Sequence, residues 1–147
     1  VGDLFDAPDG TVLIHACNGV GNWGAGIAAA FRQKYPNAFR AHVNHCKQRS
    51  PKSLLGTAQL IPPLEKTGRK HYIGCLFTSA RFGRYKDPPH EILRNTGPAM
   101  EDLLRQVSHF ARQDHISEIR MCQINSGLFA VPWNDTKDVV EKIEIDD

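Results

Sequence analysis

The stretch LIHACNGVGNWGAGIA, residues 13–28, sets the architecture of this chain. It begins as an apolar strand, passes through a loop with four glycines, and ends in residues that favour a helix. Glycine has no Cβ, so such a loop can bring backbone N–H groups close to a phosphate. The helix that follows adds the partial positive charge of its N-terminus. The stretch therefore predicts a nucleotide or sugar-phosphate site at the end of a strand.

Two familiar phosphate-binding motifs fit this chain poorly. Residues 19–24 match the G-x-G-x-x-G of dinucleotide-binding proteins, but that motif needs a second strand ending in an acid about 20 residues further on. Residues 31–46 have a helical pattern instead. Cys75 and Arg81 have the C-x5-R spacing of cysteine phosphatases, but no glycine lies between them. We therefore interpret Cys75 as a buried strand cysteine.

Length and composition place this chain among single-domain globular proteins. Its 147 residues are enough for one domain with a full core, and we expect residues 1–147 to form that domain with the N-terminal strand truncated. The net charge of +2 suits an anionic ligand and does not require nucleic acid as a partner. No apolar run reaches the roughly 18 residues of a membrane span, and no signal peptide is visible. We expect a monomer that does not bind membranes.

The cysteines indicate a reducing environment. Cys17, Cys46, Cys75 and Cys122 form no C-x-x-C pair, and three of them lie in apolar, strand-like runs. This usage is typical of a reduced intracellular protein rather than of a disulfide scaffold or a zinc site. The expected location is the cytoplasm, the nucleus or both, and we expect neither a metal nor a cofactor.

Strand-like and helix-like patterns alternate along the chain. Near-continuous apolar strands separated by helices predict a largely parallel α/β sheet covered on both faces. Gly97-Pro98 is expected to kink or split the long helix. The predicted strands are 11–17, 58–61, 71–77 and 119–124, with a hairpin-like turn at 65–70, and the predicted helices are 25–35, 37–46, 90–113 and 135–142.

Two glycine-bearing loops follow predicted strands. They span residues 18–26 and 125–133. In an open α/β sheet such loops lie at the carboxyl ends of the strands, where ligands bind. Two of them at one edge can hold a diphosphate from both sides, and Thr78-Ser79 adds hydroxyl groups to the same edge.

Four segments resemble the macrodomain, an ADP-ribose-binding module, and the resemblance covers nearly the whole chain. It is closest to the branch that includes the fungal ADP-ribose 1″-phosphate phosphatase. The matching segments are LIHACN at 13–18, WGAGIA at 23–28, LFTS at 76–79 and QINSGLFAVPW at 123–133. The resemblance implies a three-layer α/β/α macrodomain fold with a mixed, largely parallel central sheet. It also implies ADP-ribose and ADP-ribose 1″-phosphate as ligands, with ADP-ribosylated protein as a further partner.

The resemblance also assigns roles to individual residues. Asp3 looks like the acid that accepts a hydrogen bond from the adenine amino group, and Leu4 would offer its backbone N–H to the base. Asn18 looks like the polar group on the distal ribose. The residues expected to line the ligand are Gly2, Asp3, Leu4, Asn18, Trp23, Gly24, Ala25, Gly26, Ile27, Thr78, Asn125, Ser126, Gly127, Leu128 and Phe129.

Three residues are candidates for catalysis, and two of them, His15 and Asp87, have a structural alternative. Asn18 would position the ester of the 1″-phosphate, and His15 would orient Asn18 or polarise a water. A strand histidine is more often a satisfied core residue. Asp87 could act as an acid or base, but such residues also cap helices. Trp23 could pack against ligand or core.

Three functions remain open at the level of sequence: a phosphatase acting on ADP-ribose 1″-phosphate, a by-product of tRNA splicing; an ADP-ribosyl-protein hydrolase; and a non-catalytic ADP-ribose reader. A related branch that removes ADP-ribose from glutamate uses a lysine at the third-strand edge and an acid in the second glycine loop. Residues 77–80 and 127–131 contain neither group. This departure favours the phosphatase.

Overall fold

Four strands form one mixed sheet. The computed structural model describes residues 4–24, 26–82, 85–111, 116 and 118–121. Within them the strands are β1 (Thr11–Asn18), β2 (Ala58–Ile61), β3 (Tyr72–Ser79) and β4 (Glu118–Met121), in the spatial order β2-β3-β1-β4. β1 runs parallel to both β3 and β4, and β2 pairs with β3 in the antiparallel direction. The mixed, largely parallel sheet predicted from the sequence is confirmed.

The sheet has a core on each face because alternate side chains of its strands point to opposite sides. Leu13 and Cys17 of β1 belong to one core cluster, whereas Val12 and Ile14 belong to the other. Every residue of β3 is buried, as expected for a strand covered on both faces. This burial explains why β1 and β3 show continuous apolar runs in the sequence.

The helices divide between the two faces. α1 (Gly26–Lys34), α2 (Pro36–Lys47) and the short α3 (Pro51–Leu54) contribute to the first cluster, and α4 (Pro89–Ala111) covers the second. Pro36 ends the first helical segment, as predicted, and lies at the start of α2. The helix α2, in place of a second strand, confirms that 19–24 is not a dinucleotide-binding motif.

α4 continues past Pro98 as one helix, so of the two effects predicted for Gly97-Pro98, a kink or a split, the split is excluded. A proline within a helix removes one hydrogen bond and costs about 3 kcal/mol. Ala99, Met100 and Leu103 are buried against the sheet directly after it. The free energy gained by burying these side chains offsets the cost of the proline. Tertiary packing therefore overrides the local tendency of a proline to interrupt a helix. Gly74 of β3 allows α4 to pack close to the sheet, because a Cβ at this position would lie only 2.8 Å from Cδ2 of Leu103.

Side chains of α4 also occupy the outer edge of β2. A carboxylate oxygen of Asp102 accepts a hydrogen bond from the N–H of Ala58 (2.8 Å), and Gln106 accepts one from the N–H of Leu60 (3.0 Å). The Gln106 amide also donates to the carbonyl of Ala58 (2.9 Å). The exposed edge that an outer strand usually leaves open is therefore satisfied within the chain.

Some predicted elements lie outside the described residues. These are the loop at 125–133, the helix at 135–142 and the end of the strand at 119–124. Within the described part of the chain, α3 and a 3-10 helix at Leu4–Asp6 had no prediction. No helix in that part is long and apolar enough to span a membrane.

Candidate functional site

The candidate site lies where β1 and β3 end. The two strands pair in regular register up to Cys17 and Phe77, after which the register shifts and Asn18 lies opposite Ser79. The N–H of Gly19 then donates to the carbonyls of Ser79 (3.0 Å) and Ala80 (3.1 Å). The first glycine loop is thus fixed to the carboxyl end of the neighbouring strand. This is the sheet edge predicted to bind the ligand.

The Asn18 side chain organises the glycine loop. Its Oδ1 accepts hydrogen bonds from the N–H groups of Val20 (3.1 Å) and Asn22 (3.3 Å), and its Nδ2 donates to the carbonyl of Asn22 (2.9 Å). An amide has two N–H donors. The second N–H of Asn18 has no partner among the residues that the structure describes. Asn18 can therefore hold the loop and still donate one hydrogen bond to a ligand.

Gly19 must be a glycine because the loop passes against α3. A Cβ at this position would lie 2.8 Å from both Cα and the carbonyl oxygen of Pro51, and neither backbone atom can move aside cheaply. Gly21 has a φ of +77°, a conformation that other residues adopt only with strain. These two glycines shape the loop, whereas a Cβ at Gly24 would meet only the flexible side chain of Asn22.

The start of α1 is open to solvent beside this loop. Gly24, Gly26 and Ile27 are exposed, and Ile27 keeps 42% of its surface accessible. The first N–H groups of a helix have no acceptor within the helix. Together with the helix dipole they form an anion-binding end. An exposed apolar side chain beside bare N–H groups suits a sugar joined to a phosphate.

A hydrogen-bonded turn closes the other side of the site. The Asp87 carboxylate accepts from the N–H of Ala80 (3.0 Å), and the N–H of Asp87 donates to Oγ of Ser79 (2.9 Å). Oγ of Ser79 in turn donates to the carbonyl of Arg81 (2.7 Å). Asp87 thus shapes the turn after β3. Thr78, a predicted ligand residue, is fully buried, and its carbonyl accepts from Nδ2 of Asn95 (3.3 Å).

His15 and Trp23 lie in the core below the loop. Both are fully buried, the His15 ring stacks on Phe31 at 4.2 Å between centroids, and Trp23 meets it edge-on at 4.8 Å. Nε1 of Trp23 has no hydrogen-bond partner among the described residues. These placements favour the core interpretation of both residues. The catalytic role of His15 and the ligand contact of Trp23 stay predictions.

Two cysteines accompany His15. Sγ of Cys17 lies 3.6 Å from Nδ1 of His15, and Sγ of Cys75 lies 4.0 Å from Nε2 of His15. Burial raises the pKa of the Cys17 thiol well above its usual range, and the neighbouring Cys75 raises it further. Cys75 itself is fully buried, which agrees with its interpretation as a strand cysteine. Cys17, Cys46 and Cys75 are all free thiols.

The remaining predicted ligand residues divide into two groups. Leu4 begins the 3-10 helix and packs partly buried against the first core cluster. The others lie outside the described residues: Gly2, Asp3, Ala25, Asn125, Ser126, Gly127, Leu128 and Phe129. β4 runs parallel to β1, so the two strands point towards the same edge of the sheet.

Sequence reasoning missed the internal bonds of the loop and of the turn after β3. One signal was present, since an asparagine at the end of a strand often accepts a hydrogen bond from the N–H two residues on, as Asn18 does from Val20. The bonds between Ser79, Ala80 and Asp87 depend on how the chain turns after β3. No sequence spacing specifies that path.

Known proteins are similar to this chain in sequence. The Macro domain family model matches residues 14–140. The chain is 54% identical to the ADP-ribose 1″-phosphate phosphatase of Chaetomium globosum over 99% of this chain and 83% of that protein. It is 43% identical to the protein of the same name from Aspergillus oryzae, over 99% and 88%.

Solved structures support the fold. The macrodomain of Mycobacterium tuberculosis DarG superimposes with a TM-score of 0.74 at 23% identity, over 94% of this chain and 82% of that one. Thermosipho africanus DarTG, solved in complex with ADP-ribose, gives a TM-score of 0.70 at 18% identity, over 98% and 38%. At these identities the likeness concerns the fold alone.

Proposed function

The chain belongs to the Macro domain family, and from that premise we propose that it binds ADP-ribose and hydrolyses ADP-ribose 1″-phosphate to ADP-ribose and phosphate. The observation that carries the proposal is the 54% identity to the phosphatase of Chaetomium globosum over nearly the full chain. The 43% identity to the protein of the same name from Aspergillus oryzae supports the same activity.

The geometry at the sheet edge supports a phosphorylated sugar as the ligand. The exposed start of α1 offers backbone N–H groups and a positive dipole end, which favour phosphate oxygens. The second amide N–H of Asn18, which has no partner among the described residues, lies at the same edge, where it can donate to a ribose hydroxyl or to the ester oxygen. Ile27 provides an apolar surface for the sugar.

Within the reaction, these groups would hold the phosphate while water attacks phosphorus and the 1″ oxygen leaves. Hydrogen bonds that strengthen as charge builds on the leaving oxygen lower the barrier. Asn18 is the described residue best placed to supply one, because its Oδ1 bonds hold the amide in a fixed orientation. His15 and Asp87 stay candidates for water activation.

Two other functions share the binding site. An ADP-ribosyl-protein hydrolase would need a nucleophile or a general base at the distal ribose, and residues 77–80 at the end of β3 carry no lysine. A reader would bind without turnover. The relatives' names favour the phosphatase over both.

Phosphate release separates the three functions. We expect the chain to release phosphate from ADP-ribose 1″-phosphate and to leave mono-ADP-ribosylated protein intact. Calorimetry is expected to give one ADP-ribose per chain and much weaker binding of AMP, which lacks the diphosphate-linked ribose. ADP-ribose binding without phosphate release would support a reader. Equal binding of AMP and ADP-ribose would contradict the proposed site.

We also propose a monomer in the cytoplasm or nucleus that processes a by-product of tRNA splicing. Three free buried thiols suit a reducing compartment. Fluorescence localisation of the tagged chain and size-exclusion chromatography test these two points. Accumulation of ADP-ribose 1″-phosphate in cells that lack the protein would support the origin of the substrate.

A further inference from the structure

Three metal-ligating side chains meet in the core below the glycine loop. His15 of β1 pairs directly with Cys75 of β3, and Cys17 lies two residues further along β1 on the same face. Sγ of Cys17 lies 3.7 Å from Nε2 of His15, and Sγ of Cys75 lies 4.0 Å from the same atom. One donor atom from each residue lies within 4.8 Å of the other two, and all three side chains are buried.

These separations are close to those between ligands of one metal ion. With Zn–N bonds of about 2.0 Å and Zn–S bonds of about 2.3 Å, nitrogen and sulfur ligands are about 3.5–3.8 Å apart at tetrahedral to trigonal angles. Binding would require the His15 ring and the two thiols to rotate until Nε2 and both sulfurs point at one ion, because Sγ of Cys17 lies about equally far from Nδ1 (3.6 Å) and Nε2 (3.7 Å) of His15. The cysteine spacing alone predicted no metal, but the pairing of β1 with β3 brings these donors together. We propose that His15, Cys17 and Cys75 bind one thiophilic divalent ion, Zn²⁺, in the core.

Charge balance favours a divalent ion. Binding would release the two thiol protons, and the two thiolates would neutralise the charge of the ion beside a neutral imidazole. A site with no net charge is the arrangement that an apolar core accepts at the smallest cost of desolvation. A monovalent ion with two thiolates would leave a buried negative charge.

A disulfide between Cys17 and Cys75 fits the strands less well. The two cysteines are diagonal neighbours across the pair, since Cys75 lies opposite His15. Diagonal neighbours on adjacent strands have Cα atoms about 7–8 Å apart, beyond the usual range for a disulfide. Oxidation would therefore require the backbone to move.

The ion would link β1 to β3 in the core next to the candidate site. Cys17 directly precedes Asn18, so a bond between β1 and β3 at this level fixes the strand ends that carry the glycine loop. A histidine held by the ion would not be free to activate water, so this site and the catalytic role considered for His15 exclude each other. The site would therefore stabilise the fold rather than take part in the reaction, and its test does not depend on the proposed enzymatic activity.

The first experiment uses the full wild-type chain, reduced and freed of metal with a chelator. Titration with Co²⁺ is expected to give a sulfur-to-cobalt charge-transfer band that saturates at one ion per chain. Zn²⁺ is expected to displace the cobalt and to raise the Tm by several degrees, as expected for a ligand that binds only the folded state. Folded chain that shows no charge-transfer band would overturn the proposal.

Variants then locate the site. Cys17→Ala and Cys75→Ala are expected to abolish the band. Cys46→Ala is the matched control, since Cys46 is a buried thiol of the same core cluster that contacts His42 rather than His15, and it is expected to keep the band. Loss of the band in Cys46→Ala, or a Cys17–Cys75 disulfide in the chain as purified, would overturn the proposal. If an alanine variant fails to fold, the wild-type titration decides alone.

Discussion

Asn18 and Ser79 face each other at the carboxyl ends of β1 and β3, one step beyond a shift in the register of the two strands. Each side chain bonds backbone groups of the segment that follows the strands. Asn18 binds Val20 and Asn22 of the glycine loop, and Ser79 binds Arg81 and Asp87 of the turn after β3. The pair therefore holds the glycine loop after β1 and the turn after β3 in place without a ligand.

Removal of the Asn18 amide should impair both binding and turnover. Asn18→Ala leaves the N–H groups of Val20 and Asn22 without their acceptor, so we expect ADP-ribose affinity to fall about tenfold, or about 1.4 kcal/mol. We expect phosphate release to fall further, because the second amide N–H of Asn18 is needed most in the transition state. Calorimetry and a phosphate assay measure the two effects.

Asn44→Ala on the exposed face of α2 is the matched control and should change neither quantity. Equal losses of affinity and rate in Asn18→Ala would mean that the amide acts only on binding.

Two glycines of the loop should respond differently to alanine. Gly19→Ala forces a Cβ against the backbone of Pro51, and we expect a loss of about 1–3 kcal/mol in the free energy of unfolding. Gly24→Ala meets only the Asn22 side chain, so stability should hardly change while ADP-ribose affinity falls. Urea denaturation and calorimetry test the pair. The same stability loss in both variants would refute the difference in packing.

Two variants distinguish whether Asp87 only holds the turn after β3 or also acts as an acid or base. Asp87→Asn keeps an oxygen that can accept from the N–H of Ala80, so we expect phosphate release to stay near the wild-type rate. Asp87→Ala removes that acceptor and should lower both affinity and rate. A rate that collapses in Asp87→Asn at unchanged affinity would establish Asp87 as an acid or base.

His15→Ala should destabilise the fold. The ring stacks on Phe31 and is fully buried, so its loss leaves a cavity. We expect the free energy of unfolding to fall by about 2–4 kcal/mol. Thermal melting measures this effect, and phosphate release per folded molecule measures any catalytic part. His15→Phe is the matched variant because it keeps an aromatic ring against Phe31. A rate that falls in both variants would support the catalytic role predicted from the sequence.

A buried histidine ties the N-terminal segment to the core. His71 bonds the hydroxyl of Tyr35 through Nδ1 (2.6 Å) and the carbonyl of Ala7 through Nε2 (2.7 Å). We expect Tyr35→Phe to lower the free energy of unfolding by about 1–3 kcal/mol, because it leaves a buried nitrogen without a partner. Urea denaturation measures this loss. A free energy of unfolding equal to that of the wild type in Tyr35→Phe would contradict this role.

The sequence alone was enough to predict most of the described elements. β1 and β3 bury both faces, so their apolar runs are continuous, and β2 was predicted with its bounds as observed. The glycine loop was found because glycine and the start of a helix carry a local signal for phosphate. The order of the elements then placed that loop at the carboxyl end of a strand.

Tertiary contacts account for what the sequence patterns did not predict. α4 stays whole across Pro98 because Leu103 and its neighbours are buried on the sheet, and a local proline preference contains no information about that burial. The hydrogen bonds of Asn18 and Asp87 depend on the paths of two turns. His15, Cys17 and Cys75 come together only through the pairing of β1 with β3. Periodicity along one strand tells which side chains share a face, but pairing between strands decides which of them meet.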